Sequence, residues 1–88
     1  MDELKSLRKK IDEIDVEIVE KVCLRMDISQ RIGKKKKELN LAIKDNGRER
    51  VLERRWEELA KLHNMDKEKL IKLLDDILYL SRSIQEKV

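Results

Sequence analysis

The chain has 88 residues, of which 47% are charged and 2% aromatic, with no proline, no phenylalanine and a net charge of +3. That composition excludes an all-β fold and suits a helical bundle with solvated outer faces, while 40% hydrophobic residues set at helical period exclude a disordered chain. With 22 basic residues against 19 acidic ones no strong field draws nucleic acid, and the lack of any long apolar run argues against a membrane span or leader and for the cytoplasm. The length allows one domain, residues 1–88, in the range where a lone core is marginal without oligomerisation or a ligand.

The first predicted element is a helix over Leu4 to Leu39, opened by Asp2 and Glu3, whose charges suit a helix N-terminus. Leu4, Leu7, Ile11, Ile14, Ile18, Val22, Ile28, Ile32 and Leu39 fall mostly three or four apart, the period of one helical face. At about 1.5 Å per residue this helix runs roughly 54 Å, whereas a compact chain of this size is roughly 30 Å across. A stripe that outruns its own fold needs another cover, and a second copy of the chain is the simplest one. Beyond Ile18 the spacing lands on Val22, Arg25, Ser29, Ile32 and Lys36, so two cations eleven residues apart share the core-facing side. Gly33 between them costs the helix about 1 kcal/mol relative to alanine, which a close approach of another helix or a ligand offsets. Cys23 reads as a small packing residue, and Asp12 and Asp15 as surface or interhelix pairs. The run of Arg31 with Lys34 to Lys37 could meet nucleic-acid phosphates, but almost no aromatic residue is present to stack on bases, and three of the four lysines read as a solvated face.

Residues 40–47 break the period, and Asp45-Asn46-Gly47 reads as a turn. Asn46 followed by Glu49 fits a capping box in its broader form and starts a second helix. Val51, Leu52, Trp56, Leu59 and Leu62 supply its apolar face, and it ends near His63-Asn64. His63 has no second His or Cys nearby and makes no metal site. Asp66 caps a third helix, with Met65 and Leu70 at hydrophobic-staple positions. Leu70, Leu74, Ile77, Leu78, Ile84 and Val88 form its buried face, and the same spacing reaches Ser81 and Gln85. Trp56 and Tyr79 read as core or rim packing. The predicted fold is all-α, one very long helix and two shorter ones, in a homodimer.

Polar residues on an apolar seam are the informative feature, since burying them without partners is costly. Arg25, Lys36, Ser81 and Gln85 facing one interior space would suit a small anion, because arginine grips a carboxylate with two parallel hydrogen bonds and lysine adds a point charge. Several motifs then fall in one order: Leu7-Arg8-Lys9-Lys10-Ile11-Asp12 with Ile14-Asp15, Arg25, Lys36 in Gly33-Lys34-Lys35-Lys36, Asp45-Asn46-Gly47-Arg48-Glu49-Arg50, and finally Ser81 and Gln85. This ordered set resembles the all-helical class of chorismate mutases over nearly the whole chain. Against the dimeric bacterial form it needs no insertion or deletion, although Leu41-Ala42-Ile43-Lys44 lacks the proline often found before the second helix.

The resemblance implies an intertwined helical homodimer that rearranges chorismate to prephenate, on the route to phenylalanine and tyrosine. It implies that Arg8 reaches into the partner subunit's site and, with Arg25, binds the two substrate carboxylates. Lys36 and Gln85 would donate to the ether oxygen of the breaking bond. Glu49 would hold the ring hydroxyl, Asp45 and Arg48 would complete the pocket, and Ser81 would contact a carboxylate. An intramolecular [3,3] rearrangement needs no nucleophile, metal, cofactor or proton shuttle. It needs a flexible dianion held in a chair-like conformer and donors aimed at the ether oxygen. Because Gln85 is an amide, its donor persists at ordinary pH. The alternatives are an isochorismate-pyruvate lyase of the same fold, which would release pyruvate, and a non-catalytic dimeric helical module, which would leave the four seam residues unexplained.

Overall fold

The computed structural model describes residues 2–88 and holds three helices, α1 (Asp2–Glu38), α2 (Asn46–Leu62) and α3 (Lys67–Glu86). The all-α expectation stands, and the long first helix ends one residue earlier than its apolar period suggests. Its 37 residues at about 1.5 Å each give about 55 Å, which accounts for the longest dimension of a molecule measuring 57 × 26 × 14 Å. The Cα radius of gyration is 16.4 Å, against about 12 Å for a compact chain of this length. No helix is long and apolar enough to cross a membrane among the described residues.

Helix α3 packs against α1 on one side and α2 on the other, while α1 and α2 do not pack on each other among the described residues. Burial on α1 starts at Val22 and is deepest at Ser29 and Gly33, whereas residues 2–21 are exposed throughout. Leu4, Leu7, Ile11, Ile14 and Ile18 therefore form an apolar stripe in solvent, with Leu7 49% and Ile11 57% exposed. A free helical segment of that length is marginal in water, and a continuous exposed apolar stripe marks an interaction surface. Cys23 is exposed, which corrects its reading as a packing residue.

At Gly33 the backbones of α1 and α3 approach closely. A Cβ there would sit 2.9 Å from Gln85 Cα and 2.8 Å from Val88 Cγ2, so the helix tolerates glycine because the crossing requires it. Gly33→Ala is expected to lower stability by about 1–3 kcal/mol, the scale of overpacking a tight contact, despite the better helix propensity of alanine. Urea denaturation measures this, and a variant as stable as the parent would refute the account.

Helices α1 and α2 end alike. Asn40 and Asn64 both take φ of 55°, the left-handed conformation that asparagine tolerates. Each is followed by the paired hydrogen bonds of a Schellman turn, Leu41 N to Lys36 O at 2.8 Å and Met65 N to Ala60 O at 2.8 Å. The expected stop at His63-Asn64 is thus explained by backbone geometry. The start of α2 needs correction. Asp45, not Asn46, is the N-cap: its backbone is extended, and its Oδ1 accepts from Arg48 N at 3.0 Å. Asn46 and Gly47 are already helical, so the expected turn is the first turn of α2. Asp66 caps α3 as read, accepting from Lys69 N at 3.1 Å.

Ala60 and Leu74 are fully buried and Leu78 nearly so. The inward side of α2 is Leu52, Trp56 and Ala60, a row of four-residue steps, while Leu59 and Leu62 remain exposed. Small Ala60 fills the tightest position, so the apolar face drawn from large residues alone was rotated outward. Tyr79 also points to solvent and is not core, whereas Trp56 is half-buried.

Candidate functional site

A pocket of about 440 Å³ opens where the separation of α1 and α2 leaves a gap alongside α3, a volume within the range of small-ligand sites. Each helix contributes one stripe to it. Arg25, Ser29 and Lys36 come from α1, Asp45, Arg48 and Glu49 from the start of α2, and Ser81, Arg82 and Gln85 from α3. Those steps of three and four residues are what put side chains on one helical face. Ile28, Ile32, Ile43, Leu52 and Leu78 fill the wall between the polar groups.

Seven of the residues singled out in the sequence, Arg25, Lys36, Asp45, Arg48, Glu49, Ser81 and Gln85, meet in this one pocket. Arg8 does not: it lies on the exposed first half of α1, 17 residues before Arg25 and so about 25 Å away along the helix.

The end of α1 positions Lys36. Its carbonyl takes part in the Schellman turn, and its Nζ donates to Ile43 O at 2.5 Å, so the loop from Asn40 to Lys44 folds back over the pocket rim. Two of the three ammonium donors remain free. Glu49 accepts from Arg82 Nη1 at 2.7 Å, an ion pair joining α2 to α3 across the pocket. Deeper in, Ser29 Oγ lies 2.5 Å from Ser81 Oγ, and Gln85 Nε2 donates to Ser81 Oγ at 3.3 Å. Gln85 Oε1 is buried without a partner.

The pocket carries more cations than carboxylates. Arg25, Lys36, Arg48 and Arg82 face Asp45 and Glu49. Among the described residues the ion pairs are Arg82 with Glu49 and, on the outer surface, Lys35 with Glu38. The Asp45 carboxylate is engaged as a helix cap. That leaves Arg25, Lys36 and Arg48 without a carboxylate partner. Burial first, and the like charge of Arg48 second, lower the pKa of the Arg25 guanidinium, although arginine stays charged in proteins. A half-buried cation beside another cation is stabilised by an incoming anion.

Sequence reading passed over Arg82 and left Ser29 as a mere seam position. The signal for Arg82 was available, since Leu78, Ser81, Arg82 and Gln85 repeat the spacing of Asp45, Arg48, Glu49 and Leu52. Its pairing with Glu49 depends on how α2 crosses α3, which no local pattern encodes.

Residues 7–86 match the family described as chorismate mutase type II. A chorismate mutase of Methanocaldococcus jannaschii is 30% identical over 86 residues, covering 98% of this chain and 87% of that one. A bifunctional chorismate mutase/prephenate dehydratase of Aquifex aeolicus is 33% identical over 94 residues, which span all of this chain but 25% of that protein. Among solved structures, a conserved hypothetical protein from Pyrococcus furiosus superposes with a TM-score of 0.75 at 40% identity, covering 93% of each chain. With the family match spanning every residue that lines the pocket, this chain belongs to the type II chorismate mutases.

Proposed function

We propose that the chain rearranges chorismate to prephenate as a homodimer, each site being completed by Arg8 from the partner subunit. The observation that carries this reading is the set of cations, Arg25, Lys36 and Arg48, that face one pocket and form no ion pair among the described residues. Chorismate is a dicarboxylate, and those cations match its charge. Arg25 and the partner's Arg8 hold the two carboxylates, with Arg48 at the mouth. This fixes the flexible enolpyruvyl arm over the ring and turns the barrier into one of geometry already satisfied.

In the rearrangement the ether C–O bond breaks while a C–C bond forms within the same molecule, and negative charge grows on the ether oxygen. Lys36 and Gln85 donate to that oxygen from positions fixed before substrate arrives. Glu49, held by Arg82, accepts from the ring hydroxyl. Asp45 shapes the rim as the cap of α2. The Ser81 hydroxyl is engaged by Ser29 and Gln85, so it acts on the amide in place of the carboxylate contact that the resemblance implies. The exposed stripe of Leu4, Leu7, Ile11, Ile14 and Ile18 supports pairing of two long helices, because its near-heptad spacing is that of a coiled-coil seam.

The test is the loss of chorismate ultraviolet absorbance on adding purified protein, with the product converted by acid to phenylpyruvate. Catalytic loss yielding prephenate is the expected result. No turnover of chorismate by a helical, dimeric sample would refute the mutase reading, and release of pyruvate from isochorismate would assign the lyase reaction instead.

A further inference from the structure

We propose that Ser29 is a positioning residue for Gln85: acting through Ser81, its hydroxyl determines which end of the Gln85 amide faces the pocket. The inference deepens the mutase reading and rests on it.

Ser29, Ser81 and Gln85 are 3%, 7% and 8% exposed, so apart from a ligand in the pocket they have only one another as hydrogen-bond partners. As they stand, Gln85 donates through Nε2 to Ser81, and Oε1 is left buried and unpaired. An unpaired buried carbonyl is unfavourable, and against a ligand's ether oxygen it sets acceptor against acceptor. Turning the amide end over end exchanges oxygen for nitrogen with no change of shape. Ser81 then donates its one proton to Oε1, Ser29 donates to Ser81 Oγ, and Nε2 presents N–H to the pocket. Every oxygen in the row is satisfied, and the group left over is the donor that the ether oxygen requires.

Ser29 is what closes this row. Its proton satisfies Ser81 Oγ while the Ser81 proton goes to the amide, and successive hydrogen bonds polarise one another, which strengthens the terminal N–H. The contact at Gly33, one turn further along α1, keeps the helices close enough for the 2.5 Å approach of the two hydroxyls. Helix α1 thereby orients an amide on α3 that its Ser29 does not touch directly.

The experiment measures kcat, KM and pH profiles for the parent, Ser29→Ala, Gln85→Glu and the double variant. Ser29→Ala is expected to lower kcat about three- to tenfold, the scale of one neutral hydrogen bond, with KM nearly unchanged. In Gln85→Glu the introduced carboxyl group donates to the ether oxygen only when protonated, so activity falls as pH rises through its pKa. Arg25 and Lys36 from α1, Asp45, Arg48 and Glu49 from α2 and its cap, and Arg82 from α3 face that group in every variant. Donation from Ser81, supported by Ser29, favours the ionised form and lowers this pKa. Adding Ser29→Ala is therefore expected to move the falling limb about half a unit upward. Should Ser29→Ala fail to fold, Ser29→Cys, of similar size with a weaker donor, carries the same expectations. An unchanged kcat or an unmoved limb, with an active parent, overturns the role of Ser29 alone. A parent that does not consume chorismate overturns the mutase reading and this inference with it.

Discussion

Lys36→Ala is expected to lower turnover of chorismate by about a hundredfold or more, the scale of removing one preorganised donor from developing negative charge. The size of the effect follows from how firmly the ammonium is held. Lys36 lies in the last turn of α1, where its carbonyl accepts from Leu41 N at 2.8 Å while its Nζ donates to Ile43 O at 2.5 Å. One residue thus fastens the loop at two points, and its ammonium lines the pocket without forming an ion pair among the described residues. Reorganisation on substrate binding is small, which is the condition under which a charged donor is worth most to a transition state.

Alanine at this position removes the donor and the loop tether together, and two further measurements separate them. The tether is one part-buried hydrogen bond, so its loss should lower stability by about 1 kcal/mol, readable in a denaturation curve. Lys36→Arg keeps the charge but replaces a compact ammonium by a rigid planar fork, and is expected to recover only part of the lost turnover. Steady-state kcat settles the matter: a Lys36→Ala variant within about threefold of the parent would refute the donor role at the ether oxygen.

The parts of this fold that were legible in the sequence are those set by local period and local caps. The apolar spacing from Leu4 to Ile32 fixes α1, and Asp66 and Asn64 mark a cap and a stop because their side chains and backbones act within a few residues. The N-cap of α2 was misplaced by one residue because Asp45 and Asn46 are adjacent residues of equal capping ability. The Glu49 that made Asn46 look like half of a capping box is used in the fold by Arg82, 33 positions away. Leu59 and Leu62 were assigned inward on size, whereas Ala60 lies at the crossing, a choice that depends on the angle between α2 and α3.

The candidate site divides the same way. Arg25, Lys36, Ser81 and Gln85 stood out because polar residues on an apolar seam contradict the pattern around them. Arg82 did not stand out, being one of 22 basic residues in a chain whose surface is mostly charged. Ser29 was visible on the seam, yet its partner lies 52 residues away, and a serine in a helix carries no sign of its own that it meets another hydroxyl. Long-range pairings of this kind enter only with the packing of α1 on α3.

Mixing two variants that are each inactive is expected to restore about a quarter of the parent's activity, when Arg8→Ala and Arg25→Ala chains are unfolded together in equal amounts and refolded. The reasoning starts from distance. Arg8 and Arg25 share one straight helix and lie about 25 Å apart, so one chain cannot bring both to one ligand. The first half of α1 is exposed over residues 2–21, and its apolar stripe needs a partner of matching length. A second α1, related by a two-fold axis, would cover that stripe and carry each Arg8 to the other chain's pocket. Random pairing then makes half of the molecules mixed dimers, each with one intact site and one site that has lost both arginines, hence a quarter of all sites. If Arg8 served its own chain, every site in the mixture would lack one arginine and no activity would return. Chains carrying distinguishable tags show by mass that mixed dimers have formed, and an inactive preparation rich in them would refute the exchange of Arg8 between subunits.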